Sequence, residues 1–154
     1  RQDVQVIILG KGDSAYENYF SDLARKYVGK LVTIIAFNPD LSRKIYSGAD
    51  LFLMPSKSEP CGLSQMIASR YGTVPIVRET GGLYDSIKPV GNGGNGFTFA
   101  SYNAYDMLYV IREAINCYYN KDFWPVLVKR VMSVDFSWQR SAKEYEKVYG
   151  EMLK

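Results

Sequence analysis

Short apolar runs alternate with amphipathic stretches through the first two thirds of the chain. Residues 4–9 (VQVIIL) form an apolar, β-branched run that stops at Gly10-Lys11-Gly12-Asp13, the pattern of a strand followed by a turn. Ser14 and Glu17 have the spacing of a capping box, and Tyr16, Tyr19, Phe20, Leu23 and Tyr27 recur at helical spacing, which predicts a helix over residues 15–27. A second strand is predicted over residues 31–37. It ends at Asn38-Pro39, where Asn can cap a short helix and Pro suits its first position, and that helix closes at Gly48. Residues 50–54 predict a third strand, ended by Pro55, and residues 63–71 the next helix. The strand 74–78, the loop Glu79 to Gly82, a glycine-rich segment from Gly91 to Gly96 and the run 97–99 follow.

Strands alternating with helices, and apolar throughout rather than at every second residue, imply a parallel sheet covered on both faces. With right-handed crossovers this is an α/β fold of Rossmann-like type, a doubly wound parallel sheet. From Asn103 the pattern is helical only. Met107, Leu108, Ile111 and Ile115 mark one helix, residues 123–132 a second, and a last one begins at Ser137. In that last helix Trp138, Ala142, Tyr145, Tyr149 and Met152 form one apolar stripe, which packs either on the chain's own sheet or on a domain outside this chain.

The composition narrows the chemistry. The chain has 154 residues, enough for one ordinary domain, with 19 Lys plus Arg against 16 Asp plus Glu. A net charge of +3 is too small to argue for nucleic acid. The absence of histidine removes Ser-His and Cys-His nucleophile pairs and histidine-ligated metals from these residues. Cys61 and Cys117 stand far apart, with neither CxxC nor zinc spacing, which suits a reducing, cytoplasmic setting. No apolar run reaches membrane-spanning length. The chain opens on Arg1, just before an apolar strand, and is read as a piece of something longer.

In an open parallel sheet, ligands bind outside the carboxyl ends of the strands. The loops after Leu9, Phe37, Met54 and Arg78 are therefore expected to converge on one crevice. The richest is Pro55-Ser56-Lys57-Ser58-Glu59-Pro60-Cys61-Gly62-Leu63-Ser64-Gln65, which runs into a helix. There the N–H groups of Gly62, Leu63 and Ser64, with the positive end of the helix dipole, favour an anion such as phosphate. Glu59 at the rim would repel phosphate but accept hydrogen bonds from sugar hydroxyls; taken alone it is equally an exposed loop carboxylate, and Ser64 equally a capping residue. Gly81 and Gly82 form a second glycine site or a tight turn. Gly10-x-Gly12 lacks the third glycine of the dinucleotide fingerprint. Phe37 at a strand end either stacks on a base or belongs to the core. Cys61, with no histidine to activate it, reads as a small wall residue.

Ser47-Gly48-Ala49-Asp50-Leu51-Phe52-Leu53-Met54-Pro55-Ser56, then Glu59-Pro60-Cys61-Gly62-Leu63-Ser64-Gln65, Arg70-Tyr71-Gly72-Thr73-Val74-Pro75-Ile76-Val77 and Thr80-Gly81-Gly82-Leu83, closely resemble bacterial glycogen synthases and plant starch synthases. The likeness extends through Gly96-Phe97-Thr98-Phe99 to Phe136-Ser137-Trp138. The wider group of retaining glycosyltransferases usually carries a second glutamate eight positions after the first, where this chain has Ile67.

The resemblance implies transfer of glucose from ADP-glucose to the non-reducing end of an α-1,4-glucan, with retention and without a metal or other cofactor. It implies a GT-B fold of two Rossmann-like domains, of which residues 1–154 are the C-terminal, donor-binding one, lacking its first strand and inactive alone. The absent N-terminal domain would be its partner, supplying the acceptor site and an active-site histidine; neither nucleic acid nor membrane is expected as a partner. By motif position Glu59 is the catalytic candidate, contacting donor-glucose hydroxyls. Gly62, Leu63 and Ser64 would hold the distal phosphate, and Phe37 stands where the family stacks a tyrosine on adenine. Cys61, Gly81, Gly82, Gly10 and Gly12 would line the donor side. Lys57 and Ser58 replace a common Arg-Phe, and Lys11 does not stand in the family's pyrophosphate-clamping motif. The competing readings are a UDP-sugar-dependent transferase and a non-catalytic nucleotide-binding module.

Overall fold

The computed structural model describes residues 2–153 and divides them into two compact units, the first ending at Gly48 and the second beginning at Ala49. In the first, β1 (Val6–Leu9), α1 (Ser14–Lys26), β2 (Leu31–Ile34) and α2 (Pro39–Gly48) follow in order. β1 and β2 pair in parallel from Val6 opposite Leu31 to Leu9 opposite Ile34. The cap of α1 differs from expectation. Asp13 is the N-cap, accepting from the Ala15 N–H at 2.8 Å, while Glu17 reaches back to the Gly12 N–H at 2.8 Å. A carboxylate one residue earlier thus does the work expected of Ser14. Asn38 does cap α2, accepting from the Leu41 N–H at 3.0 Å. β2 stops three residues short of its apolar run because the chain turns, the Ala36 N–H bonding to the Ile34 carbonyl. The strands expected to be buried on both faces are not: Val6, Ile7 and Val32 are exposed.

The second unit holds β3 (Leu51–Met54), α3 (Ser64–Tyr71), β4 (Val74–Arg78), α4 (Gly81–Ser86), β5 (Phe97–Phe99), α5 (Ala104–Tyr119), α6 (Trp124–Ser133) and α7 (Trp138–Met152). The sheet order is β3-β4-β5, all parallel. The single continuous sheet expected from the sequence is thus described as a two-stranded and a three-stranded sheet.

β4 is central, and its alternation sorts the core. Val74 and Ile76 join Phe97, Phe99, Ala114, Leu127 and Val131 on the face covered by α5 and α6, while Val77 packs with Leu83 and Ile87 beside α4. Proline inside a central strand normally removes a ladder bond. Here successive N–H groups point to opposite sides, and the Val74 N–H donates to the Asp50 carbonyl on the β3 side. The donor Pro75 lacks therefore faces β5, whose ladder begins only at Ile76.

Asn103 caps α5, accepting from the N–H groups of Tyr105 and Asp106, both at 2.9 Å. Before α7 the Ser137 side chain, and with it the Ser137 N–H at 2.8 Å, hydrogen-bonds to Asp135, which holds its carboxyl below the usual range. The apolar stripe of α7 does not pack on the sheet: Trp138 is 85% and Met152 77% exposed, and Ala142, Tyr145 and Tyr149 are exposed as well. No helix among the described residues is long and apolar enough to cross a membrane.

Candidate functional site

The site is built at the carboxyl ends of β3 and β4. After Met54 the chain leaves the sheet and reaches α3 through residues 55–63. Leu63 precedes the helix, and its side chain makes no capping bond. Among the described residues, the N–H groups of Gly62, Leu63 and Ser64 donate to no protein acceptor. Ser64 is the first helical residue rather than a cap. Three free donors at the start of α3, with the helix dipole behind them, make an anion-binding end. Gly62 turns the chain there at φ +77°, in the left-handed region that favours glycine.

Glu59 is half-buried, and its carboxylate accepts no hydrogen bond from the described residues. Its backbone is held, since the Glu59 carbonyl accepts the Gly82 N–H at 3.0 Å. The glycine pair at the start of α4 is the seat of this loop. A Cβ on Gly81 would lie 2.2 Å from the Glu59 carbonyl oxygen, and one on Gly82 would lie 2.1 Å from that of Cys61. These glycines therefore let the backbone of residues 59–61 rest directly on α4. Cys61 is exposed and free, and its Sγ lies 3.8 Å from the Gly62 carbonyl oxygen.

Two side chains not singled out in the sequence hold the loop from either end. Gln65 is wholly buried; its Nε2 donates to the carbonyls of Cys61 at 3.2 Å and Gly62 at 2.8 Å, and to Ser86 Oγ at 3.1 Å. Ser86 Oγ in turn donates to the Gly82 carbonyl at 2.6 Å. Arg78, closing β4, donates from Nε to the Ser56 carbonyl at 2.8 Å, from Nη2 to that of Lys57 at 2.5 Å and from Nη1 to that of Ala100 at 3.4 Å. The sequence offers one signal for Arg78, a cation ending an otherwise apolar strand. For Gln65 it offers only a place at the end of the motif that starts at Glu59, with no sign that the side chain turns back onto the loop.

Glu59, Cys61, Gly62, Leu63, Ser64, Gly81 and Gly82 thus come together in the second unit. Gly10, Gly12 and Phe37 lie in the first, so the four loops are not described as one crevice. Nothing approaches within 4 Å of a Cβ on Gly10 or Gly12. Phe37 is 87% exposed, so it is not a core residue. Cys117 packs beside the α5/α6 core, and burial pushes its thiol pKa up. Among the described residues no three His, Cys, Asp or Glu side chains cluster as a metal site would require.

The family described as "Glycosyl transferases group 1" matches residues 1–122, and the chain belongs to it. It is 51% identical over 156 aligned residues to the glycogen synthase of Geobacillus thermodenitrificans, covering 99% of this chain and 32% of that protein. It is 50% identical to the glycogen synthase of Geobacillus stearothermophilus, again over 99% of this chain and 32% of the relative. The chain therefore spans about a third of the length of these curated relatives. Among solved structures it resembles the catalytic domain of starch synthase IV from Arabidopsis thaliana, bound to ADP and acarbose. The TM-score is 0.86 and the identity 36%, over 96% of this chain and 32% of that one. Sucrose-phosphate synthase from Thermosynechococcus elongatus shares the fold, at TM-score 0.67 and 20% identity, over 97% of this chain and 38% of that one. Parallel strands flanked by helices place the architecture with GT-B glycosyltransferases, as the sequence implied.

Proposed function

We propose that the whole protein transfers glucose from ADP-glucose to the non-reducing end of an α-1,4-glucan, and that this chain is its donor-binding domain. The observation that carries the reading is the juxtaposition of Glu59 with the three free N–H groups at the start of α3. The N–H groups suit the diphosphate, and the carboxylate suits sugar hydroxyls. Breaking the glycosyl–phosphate bond develops negative charge on the departing ADP, and donors already oriented toward it stabilise that charge. The likeness to glycogen synthases across nearly the whole chain supports this choice of reaction over others in the family. Phe37, exposed and three residues past β2, is assigned to the adenine. Cys61, Gly10 and Gly12 are assigned to the lining of the donor side. Gly81 and Gly82 act through the seat they give residues 59–61. The acceptor site belongs to a partner N-terminal domain, no metal takes part, the fragment alone is inactive, and the protein works in the cytoplasm.

The test is Glu59→Ala in the full-length protein. Turnover with ADP-glucose should fall by about a hundredfold or more while ADP affinity stays within about threefold, because the lost hydrogen bonds are to the sugar. Near-normal turnover refutes the role of Glu59. Titration of the unaltered protein with ADP and UDP decides the base, and a preference for UDP overturns ADP-glucose as the donor.

A further inference from the structure

We infer that Arg78 is a positioning residue for the donor site, acting through the loop that carries Glu59; the inference rests on the donor-site reading above. Arg78 stands at the carboxyl end of the central, buried strand β4. Its guanidinium spreads over two neighbouring segments, taking the carbonyls of Ser56 and Lys57 after β3 and that of Ala100 after β5. Among the described residues it makes no ion pair, and its other neighbour is the ring of Tyr102, 5.5 Å from the guanidinium carbon. All three of its nitrogens are thus committed to backbone oxygens, and none to a carboxylate. Charge-assisted bonds from a planar fork fix the direction as well as the distance of what they hold. What they hold is the stem two and three residues before Glu59.

The far end of the loop is held by Gln65, and its middle by Gly82. Arg78 supplies the remaining fixed point. Without it, residues 56–58 are tied to the sheet by no other side chain among the described residues. Glu59 and the start of α3 then sample positions in which the carboxylate and the three N–H groups no longer present themselves together. Misplacement on the scale of 1 Å is costly to an oriented reaction.

The experiment compares full-length wild type, Arg78→Met, Arg78→Lys and Arg78→Ala in donor and acceptor kinetics, with thermal unfolding measured in parallel. For Arg78→Met, donor kcat/KM is expected to fall about ten- to hundredfold, with a raised donor KM and an unchanged glucan KM. Arg78→Lys, whose ammonium lacks the planar fork, should fall between the two. Adding millimolar guanidinium to Arg78→Ala should restore part of the lost donor kcat/KM. A purely structural role would lower the active fraction and Tm but leave the donor KM of the surviving enzyme unmoved. If Arg78→Met does not fold, Arg78→Lys decides: a donor KM within twofold of wild type overturns the inference. If the wild-type protein uses no nucleotide-sugar donor, the proposed function fails instead. If it does and Arg78→Met matches it within twofold, the positioning role is wrong and the proposed function stands.

Discussion

Replacing Gly82 by alanine tests whether the loop bearing Glu59 rests on α4 as described. The added Cβ would lie 2.1 Å from the Cys61 carbonyl oxygen, 2.4 Å from its Cα and 2.6 Å from its carbonyl carbon. Every one of these is backbone, so no side-chain rotation relieves the overlap. Residues 59–61 must retreat by about 1 Å or more, and overpacking of this kind costs about 1–3 kcal/mol. The same shift stretches the bond from the Gly82 N–H to the Glu59 carbonyl, now 3.0 Å, whose loss adds about 0.5–1.5 kcal/mol. Gly82→Ala should therefore destabilise the full-length protein by about 1.5–4.5 kcal/mol. A displacement of about 1 Å at Glu59 should also reduce donor kcat/KM up to a hundredfold in the molecules that remain folded. Gly10→Ala is the control, since nothing lies within 4 Å of its Cβ, and it should stay within about 0.5 kcal/mol of wild type. Denaturant unfolding followed at two wavelengths, with initial rates at varied ADP-glucose, measures both quantities. If Gly82→Ala matches Gly10→Ala in stability and wild type in donor kcat/KM, the loop is not seated on α4.

Phe37→Ala should leave stability within about 0.5 kcal/mol, because the ring is 87% exposed, while weakening ADP binding about tenfold if the ring stacks on adenine. Calorimetric titration of the full-length protein with ADP checks this, and unchanged affinity removes Phe37 from the site. The two cysteines should differ in alkylation by iodoacetamide, followed by peptide mass spectrometry. Cys61 is exposed, whereas burial raises the Cys117 pKa, so at a given pH less of Cys117 is thiolate than in the unfolded chain. Raising the pH should speed Cys117 modification over a higher range than for an unfolded peptide of the same sequence. Equal labelling of both cysteines in the native protein at pH 7 contradicts the packing around α5.

The elements followed from the order of apolar and polar residues because secondary structure is a local periodicity. β4 and β5 fall where the runs 74–78 and 97–99 lie, and α2 runs from its proline to its glycine as read. The motif residues Glu59 to Ser64 were legible for a similar reason: the end of an apolar strand and the start of a helix are both written in consecutive positions. Other features depend on which segments meet. The sequence shows a glycine pair at residues 81–82, but only the fold shows the backbone of residues 59–61 lying where their Cβ atoms would be. It shows Arg78 as the last residue of a strand, but not the carbonyls of Ser56 and Ala100 that its guanidinium bridges. Burial also belongs to the fold: the apolar runs of β1 and β2 read as interior strands, yet Val6, Ile7 and Val32 are exposed. Chain order by itself determined the other strands and helices and the candidate anion-binding turn, since each depends on neighbours a few residues away, but neither α4, read as a loop and a glycine pair, nor the early end of β2. Only the tertiary structure decided what holds that turn in place, because close backbone approach and donor–acceptor geometry exist only between segments distant along the chain.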